Sequence, residues 1–225
     1  MITHLACVMD GNRRWATRQG LLPWNGHRAG MKTVETAIAF CLQHQIPYLS
    51  LYTFSLENFK RSQQERSFLF DIVVQQAEAY LPKFIEQGIK IKFVGELQLF
   101  PESVQKICAR VQDQTVNGTK LQVNLLFGYG ARQEIFSVAK LLAQQMLAGI
   151  EITQELFESN LWTAGTPDPD LIIRTGGVQR LSNFLLYQSA YTEIRFLETL
   201  WPDLTEAEIL NSVMSAVQAQ KNVGK

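Results

Sequence analysis

A chain of 225 residues is long enough to bury one sizeable core, and 46% hydrophobic residues with 14 glycines and 7 prolines excludes a disordered or fibrous polymer. Lysine plus arginine number 21 and aspartate plus glutamate 21, so no global field gathers nucleic acid, and any anion must be held by locally clustered arginines. Cys7, Cys41 and Cys108 have neither metal-ligand spacing nor a pairing pattern, which points to a reducing compartment.

The N-terminus lacks the basic region and long apolar segment of a signal peptide, and no run approaches the roughly 20 apolar residues of a membrane span. A soluble chain, at most peripheral to a membrane, is expected. No repeat or interior linker stands out, so residues 1–225 read as a single domain, with a polar, fraying tail over 218–225.

Period counting predicts strands at 5–9, 48–54, 89–94, 121–127, 171–174 and 192–196, and helices at 31–44, 64–87, 101–115, 132–147, 153–161 and 205–219. This alternation implies an α/β fold, a mainly parallel six-stranded sheet covered by helices. Ligands of such sheets sit beyond the carboxyl ends of the strands.

In chain order, the first strand breaks into Asp10-Gly11-Asn12-Arg13-Arg14-Trp15. Gly11 permits a tight turn, the arginines offer bidentate contacts to an anion, and Asp10 offers oxygen to a hard cation. A capped loop in which Asp10 and Asn12 bond local backbone is the competing reading. Gly26-His27-Arg28-Ala29-Gly30 then leads toward the first helix, whose entrance favours phosphate, although a lone histidine is more often structural.

After the second strand come Ser55-Leu56-Glu57-Asn58-Phe59-Lys60-Arg61, either a polar loop or a group pointing into the crevice. Asn58 is a neutral amide, so it orients a group that accepts a proton rather than accepting one itself. The following helix carries Phe68, Leu69, Phe70, Ile72 and Val73, apolar on more than one stripe. These are core, or the channel wall for a ligand with a long hydrocarbon tail. Beyond the fifth strand, Arg174-Thr175-Gly176-Gly177 and Arg180-Leu181-Ser182-Asn183 suit a second phosphate, with a structural glycine turn as the alternative. Glu193 enters the last strand as an edge charge or a second metal contact. Thr205-Glu206-Ala207-Glu208 is a capping-box signature for the last helix.

Together these segments resemble the cis-prenyltransferase family, whose bacterial members are undecaprenyl diphosphate synthases. The likeness runs through Met9 to Ala16, Gly26 to Gly30, Ser55 to Arg61, Arg174 to Gly177, Arg180 to Gln188 and Ala190 to Ile194. It implies a cytoplasmic homodimer with a hydrophobic tunnel, which condenses isopentenyl diphosphate with an allylic diphosphate, usually farnesyl diphosphate. Long-chain cis-polyprenyl diphosphates result, with transient membrane contact for release of a greasy product.

The resemblance further implies Asp10 and Asn58 as catalytic residues and Mg2+ held by Asp10 and Glu193. Gly11, Asn12, Arg13, Arg14, Trp15 and His27 would bind the allylic diphosphate. Ser55, Leu56, Glu57, Phe59 and Arg61 would flank the reacting carbons, and Arg174, Arg180, Leu181 and Ser182 would take isopentenyl diphosphate. The chain departs from the family pattern at Pro23, where relatives often carry a basic residue, at Val178 for glutamate, and at Phe59 for tryptophan. A non-catalytic partner subunit is the alternative, but such partners tend to lose the motif residues that remain here. A nucleotide-binding enzyme is disfavoured because neither G-x-x-x-x-G-K-[ST] nor a dinucleotide fingerprint occurs.

Overall fold

The computed structural model describes residues 2–220. β1 (His4–Val8) leads through α1 (Asn12–Arg18) and α2 (Asn25–Gln43) to β2 (Tyr48–Ser55). A 3-10 turn (Leu56–Lys60) and α3 (Gln63–Glu86) precede β3 (Ile89–Val94), and α4 (Glu102–Thr115) precedes β4 (Leu121–Tyr129). α5 (Ala131–Leu147), α6 (Gln154–Ser159), β5 (Leu171–Arg174), β6 (Glu193–Phe196) and α7 (Glu206–Gln220) complete the order.

The six strands form one sheet in the order β3-β4-β2-β1-β5-β6, and every neighbouring pair is parallel. All five residues of β1 are buried. Leu5 and Cys7 join the apolar cluster on one face, while Ala6 and Val8 join the cluster on the other, as expected of a strand covered on both sides. β1 connects toward β2 on one side, whereas β5, its neighbour on the other side, connects outward to β6. The carboxyl ends of β1 and β5 therefore flank the point where connections diverge, the place such sheets offer a ligand crevice.

The predicted strands and helices are present with boundaries close to those expected, but two segments differ. Residues 12–18 form a helix rather than an open turn, and α2 begins at Asn25, so Gly26 to Gly30 are its first turns. Two glycines in a helix lower its intrinsic propensity. Their reason is contact: a Cβ on Gly26 would lie 1.8 Å from the Asn12 carbonyl oxygen, and one on Gly30 2.7 Å from Trp201 Cδ1. Spaced one turn apart, they let α2 lie directly on the chain leaving β1. The capping box at α7 forms as read, with Glu208 accepting from the Thr205 backbone N–H at 3.0 Å. Residues 218–220 of the polar tail are helical, and 221–225 lie outside the described residues.

Near the amino ends of the strands, His4 is 2% exposed. Its Nδ1 lies 2.7 Å from the Pro167 carbonyl oxygen and its Nε2 lies 2.8 Å from Ser50 Oγ. Asn124 Nδ2 donates to the same hydroxyl at 3.1 Å, so the row is polar but satisfied. Burial holds the His4 imidazole neutral, lowering its pKa to about 4. Because the unfolded chain then binds the extra proton, this stability is complete above the unfolded value near 6.5 and is lost as pH falls toward 4. Urea unfolding should show a loss on the order of 3 kcal/mol from this residue between pH 7 and pH 4. His4→Gln should flatten that slope, and equal slopes in the two proteins would refute the assignment.

Candidate active site

The turn after β1 is fixed before any ligand arrives. The Asp10 carbonyl accepts from the Trp201 backbone N–H at 3.0 Å and from Thr175 Oγ1 at 2.7 Å. Gly11 follows at φ 106°, where a Cβ would also meet Leu200 Cδ2 at 2.8 Å, so the position requires glycine on two counts. Asp10 thus projects its carboxylate from the carboxyl edge of the sheet.

Arg174, the last residue of β5, meets that carboxylate: its Nη2 donates to Asp10 Oδ2 at 2.8 Å. The Arg174 side chain is only 5% exposed, and Nη1 donates to Ser182 Oγ at 2.7 Å and to the Arg180 carbonyl at 2.5 Å. Its guanidinium fork therefore ties the turn after β1 to the loop after β5. Arg180 Nε also reaches Ser182 Oγ, at 3.2 Å, which gathers the second arginine to the same hydroxyl. Ser182 and Asn183 take positive φ, 53° and 66°, the bend that aims this loop back at the sheet.

Arg13, Arg14, Arg18, His27 and Arg61 line a cavity of about 680 Å³ at the mouth, and Asp10 is the single acid on its described walls. Cations gathered in this excess attract a multiply charged anion. Glu65, buried on α3, lies 3.2 Å from Arg61 Nη1 and 3.8 Å from Arg13 Nε and holds both heads in place. Arg61 is held below its ordinary pKa mainly by burial. His27 falls to about 4, by burial first and then by the charges of Arg61 and Arg13, so its ring is neutral near pH 7. Its buried Nε2 has no hydrogen-bond partner among the described residues.

Beyond β2, the Ser55 backbone N–H donates to Asn58 Oδ1 at 3.0 Å. That contact fixes the amide orientation and leaves Asn58 Nδ2 with donors alone. Glu57 Oε1 accepts from Asn183 Nδ2 at 3.0 Å, joining the loops after β2 and β5. Ser55, Glu57, Asn58, Arg61, Arg180 and Ser182 all line a second cavity of about 1090 Å³, which also contains Asp10, His27 and Arg174 on its walls. Away from these polar residues its walls are mainly apolar, supplied by α2, α3, β2, β3 and β4, with Thr53 and Gln76 among them.

Several sequence-predicted site residues stand elsewhere. Trp15, Leu56, Phe59 and Leu181 line neither cavity. Trp15 instead donates its indole N–H to Asp203 at 2.7 Å, and Phe59 packs edge-on against Phe54 at 5.0 Å between ring centroids. Leu181 packs in the apolar cluster beneath the loop. The Asn12 side chain turns inward to the Met9 carbonyl at 3.0 Å, bracing the turn. Glu193 opens β6 in register with Leu171 and lies at the amino end of the parallel sheet, opposite Asp10. It does not share a site with Asp10 in this chain; its near partner is Arg195, at 3.8 Å.

Conversely, Arg132 and Gln133, just past β4, line the larger cavity and were missed, although the carboxyl-end rule that flagged the other loops points to them equally. Arg18 lines the mouth together with Pro23, so a cation stands in the same cavity as the position where this chain lacks the family's basic residue.

Among the described residues, no group of three or more His, Cys, Asp or Glu side chains could hold a metal ion by itself. A lone carboxylate beside a cationic pocket still fits magnesium, which takes one or two carboxylates and completes its shell with water and phosphate oxygens. Asp10 is the side chain that fits that role.

The family model described as undecaprenyl diphosphate synthase matches residues 8–224. An isoprenyl transferase of Thermotoga maritima is 36% identical, covering 98% of this chain and 96% of that protein. A ditrans,polycis-undecaprenyl-diphosphate synthase of Photorhabdus laumondii, (2E,6E)-farnesyl-diphosphate specific, is 37% identical over 98% and 89%. The crystal structure of lavandulyl diphosphate synthase from Lavandula x intermedia, in complex with dimethylallyl diphosphate, superposes with a TM-score of 0.92 at 31% identity, covering 96% of this chain and 94% of that one. The chain belongs to the undecaprenyl diphosphate synthase family and is a cis-prenyltransferase.

Proposed function

We propose that this enzyme performs the magnesium-dependent, sequential condensation of isopentenyl diphosphate with an allylic diphosphate, farnesyl diphosphate being the natural primer. The product is a long-chain cis-polyprenyl diphosphate of the undecaprenyl carrier type used in cell-wall glycan synthesis. One observation carries the reading: Asp10 lines both the cationic mouth and the large cavity, where it stands with Arg61, Arg174 and Arg180 ahead of deeper walls that are mainly apolar. That is the shape of a site for two diphosphates and one growing hydrocarbon. The Photorhabdus relative's stated specificity supports the farnesyl primer. A cytoplasmic homodimer that touches the membrane surface for product release rests on the family resemblance; no helix among the described residues is long and apolar enough to cross a membrane.

In this reading Arg13, Arg14, His27 and Arg61 bind the allylic diphosphate, and Asp10 would hold magnesium against it. Magnesium, when bound, stabilises the negative charge that builds on the departing diphosphate. Arg174, Arg180 and Ser182 bind isopentenyl diphosphate, so that its double bond faces the allylic carbon at near-attack separation. The allylic C–O bond breaks with its electron pair leaving on diphosphate, the double bond supplies the pair for the new C–C bond, and a proton leaves to set the new alkene. A diphosphate oxygen takes that proton. Asn58, with its carbonyl held by Ser55, donates from Nδ2 to orient the oxygen that accepts it. The lengthening tail occupies the apolar cavity.

Purified protein with labelled isopentenyl diphosphate, an allylic primer and magnesium should yield polyprenyl diphosphate, and chelation should stop it; no product under those conditions refutes the reading. Asp10→Asn still accepts a hydrogen bond from Arg174 but loses the charge, so turnover should drop by roughly 10²–10³-fold while circular dichroism keeps the folded spectrum and Tm falls, because the buried Arg174 loses its counter-ion. Undiminished activity would remove Asp10 from the metal role. Arg174→Lys keeps a charge but not the fork, and should raise KM for isopentenyl diphosphate roughly ten- to a hundredfold with a smaller effect on the primer. The reverse pattern would exchange the two diphosphate sites.

A further inference from the structure

The 1090 Å³ cavity runs deep into the molecule. Arg61, just before α3, and Phe84, in its last turn, both line it. Tyr80, another wall residue, lies about 26 Å along α3 from Gln63 at 1.5 Å per residue. Val123, near the amino end of β4, and Ile91, its neighbour in β3, line the same space, whereas Asp10 and Ser55 line it at the carboxyl edge. The cavity therefore extends from the charged mouth toward the opposite edge of the sheet, between α2 and α3.

Those two helices are bridged at both ends of the slot. At the mouth, Arg28 lies 5.5 Å from the centre of the Phe68 ring, and Trp24 tilts against the same ring at 6.2 Å. At the deep end, Tyr80 donates its hydroxyl to Glu35 Oε1 at 2.5 Å, and Lys83 Nζ lies 3.2 Å from Glu35 Oε2. Phe84 stacks on Tyr80 with ring centroids 6.0 Å apart. Glu35 itself is no part of the cavity wall. It works from α2 by holding Tyr80, whose ring is wall and whose hydroxyl is anchored.

We propose that Glu35, Tyr80 and Lys83 form a clasp that closes the deep end of the cavity and so limits how many isoprene units the product gains. This rests on the polyprenyl condensation proposed above. Tyr80 and Phe84 are the cavity-lining residues of α3 farthest along the helix from the mouth, and growth past them must push Tyr80 off Glu35. The bond is charge-assisted at neutral pH: the Tyr80 hydroxyl pushes the Glu35 carboxyl below its usual range, and Glu35 pushes the phenol up to about 12. Pro82 sits between Tyr80 and Lys83 and supplies no N–H to the helix ladder. The last turn of α3 thus leans on this side-chain bridge where the backbone has one rung fewer.

Chromatography of dephosphorylated, isopentenyl-labelled products tests the assignment. Glu35→Ala and Tyr80→Phe should shift the products longer by one or more isoprene units, and Tyr80→Ala should shift them further. Glu35→Gln, still an acceptor for the phenol, should restore the wild-type distribution. The first condensation in Glu35→Ala should stay within about twofold of wild type, because Glu35 touches neither diphosphate pocket. Wild-type product lengths from folded Glu35→Ala and Tyr80→Phe proteins would overturn the clasp while leaving the condensation standing. A wild-type protein that makes no polyprenyl product would overturn both, and shows itself before any variant is compared.

Discussion

Asp10 and Arg174 meet at 2.8 Å across the carboxyl ends of β1 and β5, and the geometry of the site follows from that contact. A guanidinium this deeply buried is stable only with an anion and hydrogen bonds around it, since leaving it unpaired would cost about 3–5 kcal/mol. Asp10 supplies the charge at Nη2, and Ser182 and the Arg180 carbonyl accept from Nη1, while the buried Nε has no partner among the described residues. The pair can form because the sheet reverses its winding between β1 and β5, so adjacent strands send their following loops apart and leave the space above their ends open. One residue thereby stands at the edge of both arginine clusters.

Charge at the mouth and grease behind it are consequences of two different packing decisions. Gly26 and Gly30 bring α2 down onto the turn after β1, which carries His27 into the cationic mouth. Farther along, α2 and α3 bound a slot rather than filling it. Phe54, Phe93 and Phe127 from the strands floor that slot and pack on one another edge-to-face, leaving a wall that is firm and apolar. A cavity this size inside a well-packed domain is space withheld from the core, because interiors otherwise pack to crystal-like density. Its two ends differ in kind: guanidinium groups at one, an aromatic pair tied to a surface carboxylate at the other.

The strands were legible because buried parallel strands read as short apolar runs, and the arginine loops were legible because they end those runs. Asp10, Arg174 and Ser182 were found in this way, and the structure brings them within hydrogen-bonding reach. Residues 12–18 were not read as helix, since a single short turn carries too few periods to count. The start of α2 was hidden by glycines that serve contact rather than propensity. Within one chain Glu193 and Asp10 stand apart, because Glu193 opens β6 at its amino end while Asp10 follows the carboxyl end of β1. The apolar face of α3 was ambiguous for a physical reason, because the same Leu69, Ile72 and Val73 serve a filled core or a cavity wall equally well. Only the placement of the opposite wall separates the two.

Fold alone does not choose the chemistry. Lavandulyl diphosphate synthase matches this backbone at a TM-score of 0.92, yet its name states a different product from that of the undecaprenyl synthases. In the proposed reading the arginines serve any prenyl diphosphate, since they would grip the end of the substrate that does not change. What distinguishes one product from another must act on the hydrocarbon, and the hydrocarbon offers neither charge nor hydrogen bonds to be read. Length and shape are the only properties left to recognise, and a protein reads those by where its cavity stops. In this chain that boundary is built from the Tyr80 and Phe84 rings, and its firmness depends on a carboxylate on the neighbouring helix that faces water rather than substrate.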